Sequence, residues 1–247
     1  MTADSSALPF LLVHGAWHGA WCWAGLQAEL DRRGLASYAV DLPGHGASTS
    51  PLGDLHGDAQ LVADSIDALG QDVILVGHSY GGAVITEASV RTSRVRHLVY
   101  LTAFVPDAGE SLMDLFGTMP PAETALAAAM IPQDDGTSVI DPAGAVMSFY
   151  AECTPSVASA ATRRLSPHPF ATLTQPTTGA GWRTIPSTYV CCTKDQALAP
   201  IHQTHMSTRC SEVRSIDTDH SPFASAIAAT ADVLESVSQM VATAVTA

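Results

Sequence analysis

The amino-acid sequence predicts a single α/β domain, built on a six-stranded, mainly parallel sheet with helices on both faces. The first observation is that six short apolar runs alternate along the chain with segments of helical periodicity. Such alternation is typical of parallel strands joined by crossover helices. The second observation is that the 247 residues, 47% of them hydrophobic, are enough for one large domain with a full core and an insertion.

The predicted elements follow one another with short connections through most of the chain. The apolar runs that we interpret as strands are residues 10–13, 35–40, 73–76, 95–101, 189–192 and 213–216. The periodic segments that we interpret as helices are residues 21–33, 56–69, 83–91, 201–210 and 223–245. Gly34 and Gly70 follow the first two helices, where glycine commonly ends a helix. We expect the six strands to lie in the order 2-1-3-4-5-6.

One long segment interrupts the alternation. Residues 104–186 are too many for a bare crossover loop, and prolines divide them into short helical candidates at 112–116, 123–130, 143–152 and 157–164. We therefore expect a helical cap inserted after the fourth strand, with residues 1–103 and 187–247 forming the core. Such a cap presents some side chains to the site beneath it, and the candidates are Met113, Phe116, Met147, Phe149 and Tyr150. The alternative for each is packing within the cap.

Residues 73–82, which read VILVGHSYGG, place a serine between a predicted buried strand and a predicted helix. Gly77 and Gly81 leave room for a tight turn, which would hold the Ser79 hydroxyl above the carboxyl edge of the sheet. The pattern GxSxG alone is a weak signal, because small residues are common. In this strand–turn–helix context it predicts a nucleophile, and the alternative is a structural serine in a turn.

A serine nucleophile needs a base and a carboxylate that orients the base. His220 lies in the predicted loop between the last strand and the last helix, which opens on the same sheet edge as Ser79. Asp195 follows the fifth strand at that edge, and the order Ser, Asp, His is that of one known class of serine enzymes. We therefore predict that Ser79, Asp195 and His220 act together. Asp217 and Asp219 are rivals for the carboxylate, and His78 is a weaker candidate for the base that we expect to pack instead.

A tetrahedral intermediate formed at Ser79 would need two backbone N–H donors for its oxygen. The amide of Tyr80, at the start of the helix after the serine, is one candidate. The second is the amide of Ala16, in the loop after the first strand, where the His-Gly pair at 14–15 allows close approach of the backbone. Further candidates for the substrate pocket are Trp17, His14, Phe104 and Leu198.

Composition excludes several classes of partner and site. The net charge of −13 and the lack of a large basic cluster argue against binding to nucleic acid or to an anionic membrane surface. The first ten residues have no basic region typical of a secretory signal, and no uncharged apolar stretch reaches about 18 residues. We therefore expect a cytoplasmic protein. The five cysteines are interpreted as buried apolar residues, and His14 and His18 are not expected to bind a metal because they flank a strand end.

Four segments together resemble the α/β-hydrolase superfamily: residues 13–23 (VHGAWHGAWCW), 41–48 (DLPGHGAS), 77–82 (GHSYGG) and the Asp-His pair at 219–220. The first segment is most similar to the branch of methylesterases and hydroxynitrile lyases. This resemblance implies the α/β-hydrolase fold, a helical cap and a Ser-Asp-His site without cofactor or metal. The cyanide-releasing members carry threonine after the first-loop histidine and lysine after the catalytic histidine. Gly15 and Ser221 occupy those positions here, so the resemblance favours ester hydrolysis.

The sequence thus predicts a serine hydrolase that cleaves a small, largely apolar carboxylic ester through an acyl-enzyme. The same residues would also suit a lactonase, a thioesterase, a carbon–carbon bond hydrolase or a cofactor-free perhydrolase. A hydroxynitrile lyase and a ligand-binding receptor with vestigial hydrolysis are the remaining alternatives. The expected partner is a small-molecule ester, and the sequence leaves a homodimer open.

Overall fold

The computed structural model describes residues 7–245. Residues 1–6, which belong to the ten-residue segment used above to argue against a secretory signal, lie outside the described residues. The N-terminal half of the domain alternates strands and helices as predicted, with a short 3-10 turn at Ala20–Trp23 between the first strand and the first helix. Its elements are β1 (Phe10–Val13), α1 (Ala24–Arg32), β2 (Ser37–Val40), α2 (Leu55–Leu69), β3 (Val73–His78), α3 (Gly81–Ala88) and β4 (Val95–Leu101).

Residues 104–186, here called the insertion, contain short helices and also a small antiparallel sheet. Its elements are α4 (Leu112–Thr118), α5 (Ala125–Ala129), β5 (Met130–Pro132), β6 (Thr137–Ile140), α6 (Pro142–Phe149), α7 (Pro155–Thr162), β7 (His168–Pro169), α8 (Ala171–Thr174) and a 3-10 turn at Gly181–Arg183. The insertion thus contains the expected helices together with three short strands that the sequence did not predict. The chain reverses after β5 at Gly136, whose φ is +82°, and the strands of two to four residues are too short to show a period of two.

The C-terminal part returns to the main sheet and ends in a long helix. Its elements are β8 (Ser187–Cys192), α9 (Pro200–Ser207), β9 (Glu212–Ile216), α10 (Pro222–Ser225) and α11 (Ile227–Val245). The single helix predicted over 223–245 is thus interrupted, because Ala226 has a non-helical φ of −138°. None of the helices in the described part of the chain is long and apolar enough to cross a membrane.

The main sheet has the order β2-β1-β3-β4-β8-β9, and every pairing in it is parallel. Because β5 to β7 form a separate sheet, this order confirms the predicted 2-1-3-4-5-6. Two apolar clusters cover the two faces of the sheet, so the central strand β3 is buried along its whole length. Parallel pairing places the carboxyl ends of the strands at one edge, and the loops that follow β1, β3, β4, β8 and β9 meet there.

Candidate functional site

The turn after β3 holds Ser79 in a strained backbone conformation. Its φ is +54°, in the left-handed region that a residue with a side chain rarely adopts. The two glycines of the motif are sterically required: a β-carbon at Gly77 would lie 2.5 Å from the Gly81 oxygen, and one at Gly81 would lie 2.7 Å from the His14 oxygen. The turn can therefore form only with glycine at these positions, which explains the motif read in the sequence.

The structure brings His220 and Asp195 together from loops after neighbouring strands. Nδ1 of His220 and Oδ2 of Asp195 are 2.7 Å apart, and both side chains are almost completely buried. The rival carboxylates are engaged elsewhere. Asp219 accepts hydrogen bonds from the Glu152 amide and from the Ser225 hydroxyl. Asp217 is exposed and pairs with Lys194.

Asp195 accepts hydrogen bonds from several further donors, which hold its carboxylate in place. Oδ1 accepts from the amides of Ala197 and Leu198, at 2.7 and 2.8 Å. Oδ2 accepts from the Thr102 hydroxyl at 2.5 Å and from the Gln203 side chain at 3.2 Å. Sequence reasoning missed Thr102 and Gln203. The position of Thr102 directly after the predicted fourth strand, at the edge that carries Ser79, was a usable signal.

The loop after β1 approaches Ser79 closely. A β-carbon at Gly15 would lie 2.8 Å from Cβ of Ser79 and 2.9 Å from Nδ1 of His78, so glycine is required here too. Within residues 7–245, neither the amide N–H of Ala16 nor that of Tyr80 has a hydrogen-bond acceptor. Both residues line the same cavity as Ser79, so both amides are available to an oxygen bound there.

Trp17 ties this loop to the insertion. Its backbone has a φ of +61°, and its indole Nε1 donates to the backbone oxygen of Ser138 at 3.1 Å. The Trp17 backbone oxygen accepts from the amide of Ser166 at 2.9 Å. The insertion is thus anchored on the loop that carries the Ala16 amide.

A cavity of about 350 Å³ opens beside Ser79 and His220, and it is called the Ser79 cavity below. Four of the predicted pocket residues line it, namely Trp17, Phe104, Phe116 and Leu198. Lining residues that the sequence did not reveal come mostly from the insertion: Pro120, Pro121, Ala122, Thr124, Leu126, Ala127, Met130, Leu173, Ala197 and His202. Of the described residues around the cavity, none is an Asp, Glu, Lys or Arg.

The other five predicted pocket residues do not line the Ser79 cavity, so those predictions were wrong. Met113 and Met147 point to solvent, with 53% and 58% of their surface exposed. His14 is buried behind the loop, where its Nε2 accepts from the Leu42 amide. Phe149 is buried in packing and its ring lies 5.7 Å from that of His220. Tyr150 is buried as well, and its hydroxyl is 2.7 Å from Nε2 of His18.

Buried histidines surround the site in their neutral form. Burial lowers the pKa of His14 to about 3 and that of His18 to about 4, and it lowers the pKa of His78 well below the ordinary value. His78 lies beside Ser79 and its Nε2 donates to the backbone oxygen of His220 at 2.8 Å. Its role in the structure is therefore to pack under the site and to position the His220 loop.

A second buried pair involves Tyr80, which lines the Ser79 cavity. The Tyr80 hydroxyl donates to Oδ2 of Asp58 at 2.7 Å, while Oδ1 of Asp58 has no partner among the described residues. Burial disfavours the carboxylate and raises the pKa of Asp58 to about 7. This pair fixes the ring of Tyr80, whose amide is one of the two available donors.

Comparison with known proteins identifies the family of this chain. The alpha/beta hydrolase family matches residues 10–233. The alpha/beta hydrolase nvfD from Aspergillus novofumigatus is 31% identical over 209 residues, which cover 80% of this chain and 82% of that protein. A carbendazim-hydrolysing esterase from Nocardioides is 44% identical over 123 residues, or 46% of this chain. That match spans only about half (49%) of the esterase's own length.

A methylesterase from Arabidopsis has a similar solved structure, with a TM-score of 0.79 and 25% identity over 94% of this chain and 99% of that chain. This similarity confirms the predicted resemblance to the methylesterase branch. The family match covers nearly all of the described residues, and the sheet order and the strand–turn–helix around Ser79 agree with it. The chain therefore belongs to the alpha/beta hydrolase family.

Proposed function

We propose that this protein is a carboxylesterase-type serine hydrolase, which cleaves a neutral, largely apolar ester through an acyl-enzyme at Ser79. The observation that carries the proposal is the 2.7 Å contact between His220 and Asp195, made while His220 and Ser79 line one cavity. The esterase and methylesterase relatives support it, since they are hydrolases of the same fold.

In the first half-reaction, Nε2 of His220 accepts the proton of the Ser79 hydroxyl while Oγ attacks the ester carbonyl carbon. The carbonyl π electrons move onto the oxygen, which the amides of Ala16 and Tyr80 stabilise by hydrogen bonds. When the carbonyl re-forms, the bond to the alkoxy oxygen breaks and the imidazolium of His220 gives its proton to the departing alcohol. Ser79 is then acylated.

In the second half-reaction, water replaces the alcohol. His220 accepts a proton from the water, whose oxygen attacks the acyl carbon to give a second tetrahedral intermediate. As this intermediate collapses, the bond to Oγ of Ser79 breaks, and the proton on His220 returns to that oxygen. The acid is released and the free serine is restored. Asp195 stays ionised throughout and stabilises the imidazolium through Nδ1.

The lining of the Ser79 cavity suggests which esters fit. It is built mainly of alanine, proline, leucine and aromatic side chains, and none of the described residues around it is an Asp, Glu, Lys or Arg. A charged group on the substrate would lose its hydration there without gaining a partner, which costs several kcal/mol. The acid part of the substrate is therefore expected to be apolar and to carry no charged group.

The test is a steady-state assay with p-nitrophenyl esters of increasing chain length, on the wild type, Ser79→Ala and an exposed control, Ser50→Ala. We expect continuous turnover after any initial burst, and a fall in kcat of about 10⁴–10⁶-fold for Ser79→Ala alone, by analogy with measured triads. A phosphonate should add its mass to Ser79 only. Activity of Ser79→Ala within tenfold of the wild type would refute the proposal.

The same proteins can be assayed for the alternative reactions. Lactones, thioesters, β-diketones and carbendazim test other bond types on the same machinery, and a burst without turnover would indicate a receptor. Mandelonitrile tests cyanide release. We expect no cyanide release, because Gly15 and Ser221 occupy the positions where the cyanide-releasing members carry threonine and lysine.

A further inference from the structure

A second cavity lies on the far side of the loop that follows β1, and it is called the Trp21 groove below. It has a volume of about 310 Å³ and lies between the 3-10 turn at Ala20–Trp23, helix α7 of the insertion and helices α10 and α11. It shares no lining residue with the Ser79 cavity. Tyr150, which the sequence suggested for the substrate pocket, lines this groove instead.

The walls of the groove are apolar and its edge is cationic. Val157, Phe223 and Ile227 contribute hydrocarbon surface, while the guanidinium of Arg164 lies 4.7 Å from the centroid of the Trp21 ring. Such stacking holds the cation in place and leaves its N–H groups free to donate.

Arg164 and Trp21 each carry a side-chain hydrogen-bond donor that has no acceptor among the described residues. Across residues 7–245, Arg164 forms no ion pair, although most arginines of this acidic protein have a carboxylate partner. The indole Nε1 of Trp21 is buried and has no acceptor among the described residues. A buried N–H without a partner is costly, and a ligand acceptor that reaches it would remove that cost.

We propose that the Trp21 groove is an accessory binding site for an apolar monocarboxylate. The carboxylate would accept hydrogen bonds from Arg164 and Trp21, and the hydrocarbon part would lie against the apolar wall formed by Val157, Phe223 and Ile227. The apolar wall alone would not favour an anion over a neutral ligand. The unpaired guanidinium of Arg164 does, because it is a local positive charge in a protein whose net charge is −13. The site does not depend on the proposed function, although an acid released by that reaction belongs to the same chemical class.

The chain offers a matched control for Arg164. Arg163 is its neighbour, is exposed like Arg164 and also lacks a carboxylate partner in the described chain, but its guanidinium donates to the Ser159 hydroxyl and it does not line the groove. Arg164→Gln and Arg163→Gln therefore change the net charge equally and remove the same group one residue apart. Trp21→Phe keeps most of the apolar wall and removes only the indole donor.

The experiment is isothermal titration of the Ser79→Ala protein and its double variants with sodium octanoate, 1-octanol and sodium acetate. We expect octanoate to bind, with at least tenfold weaker affinity after Arg164→Gln, a smaller loss after Trp21→Phe and no loss after Arg163→Gln. Octanol and acetate should each bind at least tenfold more weakly than octanoate. Circular dichroism checks that every variant is folded.

Several results would overturn the proposal: no octanoate binding, equal effects of Arg163→Gln and Arg164→Gln, or octanol binding as tightly as octanoate. Octanoate held in the Ser79 cavity would be unaffected by Arg164→Gln and would count against the groove. Binding in the Ser79→Ala background separates this test from the proposed function, because that function is judged by the loss of turnover and the groove by the loss of affinity.

Discussion

The hydroxyl of Thr102 donates a 2.5 Å hydrogen bond to the carboxylate of Asp195, and it does so from a backbone held at a φ of +41°. A β-branched residue in the left-handed region is strained, and such strain persists only where the surrounding structure holds it in place. The amide of Thr102 contributes to this by donating to the backbone oxygen of Val190 at 2.8 Å. The strain therefore lies beside the carboxylate that faces His220.

Thr102→Val removes this donor while keeping the shape of the side chain. Hydrogen bonds to charged groups contribute about 1.5–3 kcal/mol, so we expect kcat to fall about 10–100-fold. KM should change little, because Thr102 does not line the Ser79 cavity. Thr102→Ser, which restores the hydroxyl, should recover most of kcat. A Val variant that loses thermal stability while keeping its kcat would show that Thr102 has only a structural role.

Gly15→Ala tests the close approach of the loop after β1 to the nucleophile. The new methyl group would lie 2.8 Å from Cβ of Ser79, and neither neighbour can move away easily. We expect kcat/KM to fall at least tenfold and the free energy of unfolding to fall by about 1–3 kcal/mol. Gly117→Ala in α4 is the control, since its β-carbon would have no neighbour within 4 Å. Equal behaviour of the two variants would contradict the steric argument.

Asp58→Asn should change how stability depends on pH. The carboxyl has a pKa of about 7 in the folded protein and an ordinary value of 3.8. Between these values the folded protein binds more protons than the unfolded chain, so the free energy of unfolding decreases as pH rises from about 4 to about 7. Asparagine cannot ionise and avoids this loss.

At pH 8 we therefore expect Asp58→Asn to be more stable than the wild type by on the order of 2–4 kcal/mol, and at pH 4 nearly equal to it. Urea unfolding at both pH values measures the difference. Asp64→Asn, at an exposed position on the same helix, should show no such pH-dependent gain. A constant difference between Asp58→Asn and the wild type across this range would exclude a titrating Asp58.

His97→Asn tests the opposite dependence. Burial lowers the pKa of His97 from 6.5 to about 4, so below pH 6.5 the unfolded chain binds the proton and the folded protein does not. The free energy of unfolding therefore falls as pH falls from about 6.5 to about 4. Between pH 7 and pH 5 this group should account for about 2 kcal/mol of the loss.

Chemical unfolding at pH 7 and pH 5 should show a smaller decrease for His97→Asn than for the wild type. His97 lies in β4 and bonds the Thr188 hydroxyl, away from the Ser79 cavity, so the effect should not depend on substrate. His205→Asn, at a partly exposed position in α9, is the control. If both substitutions reduce the fall in the free energy of unfolding between pH 7 and pH 5 equally, the burial of His97 is not the cause of that fall.

Local chemistry made much of the site predictable. The turn around Ser79 needs glycine at positions 77 and 81 because backbone atoms already occupy the space that a side chain would take there, and that requirement is visible in the sequence. The positions of Asp195 and His220 followed from a general property of parallel sheets, in which the loops after all strands share one edge. Neither inference needed knowledge of the insertion.

The sequence by itself determined the alternation of strands and helices, the order of the main sheet and the residues at its carboxyl edge, because hydrophobic periodicity and glycine sterics act over a few neighbouring residues. Only the tertiary structure decided which side chains of the insertion line the Ser79 cavity, and that Thr102 and Gln203 hold Asp195. Those outcomes depend on packing between segments far apart in the chain. The orientation of a short helix such as α4, which exposes Met113 and turns Phe116 into the cavity, is set by the surface on which it packs.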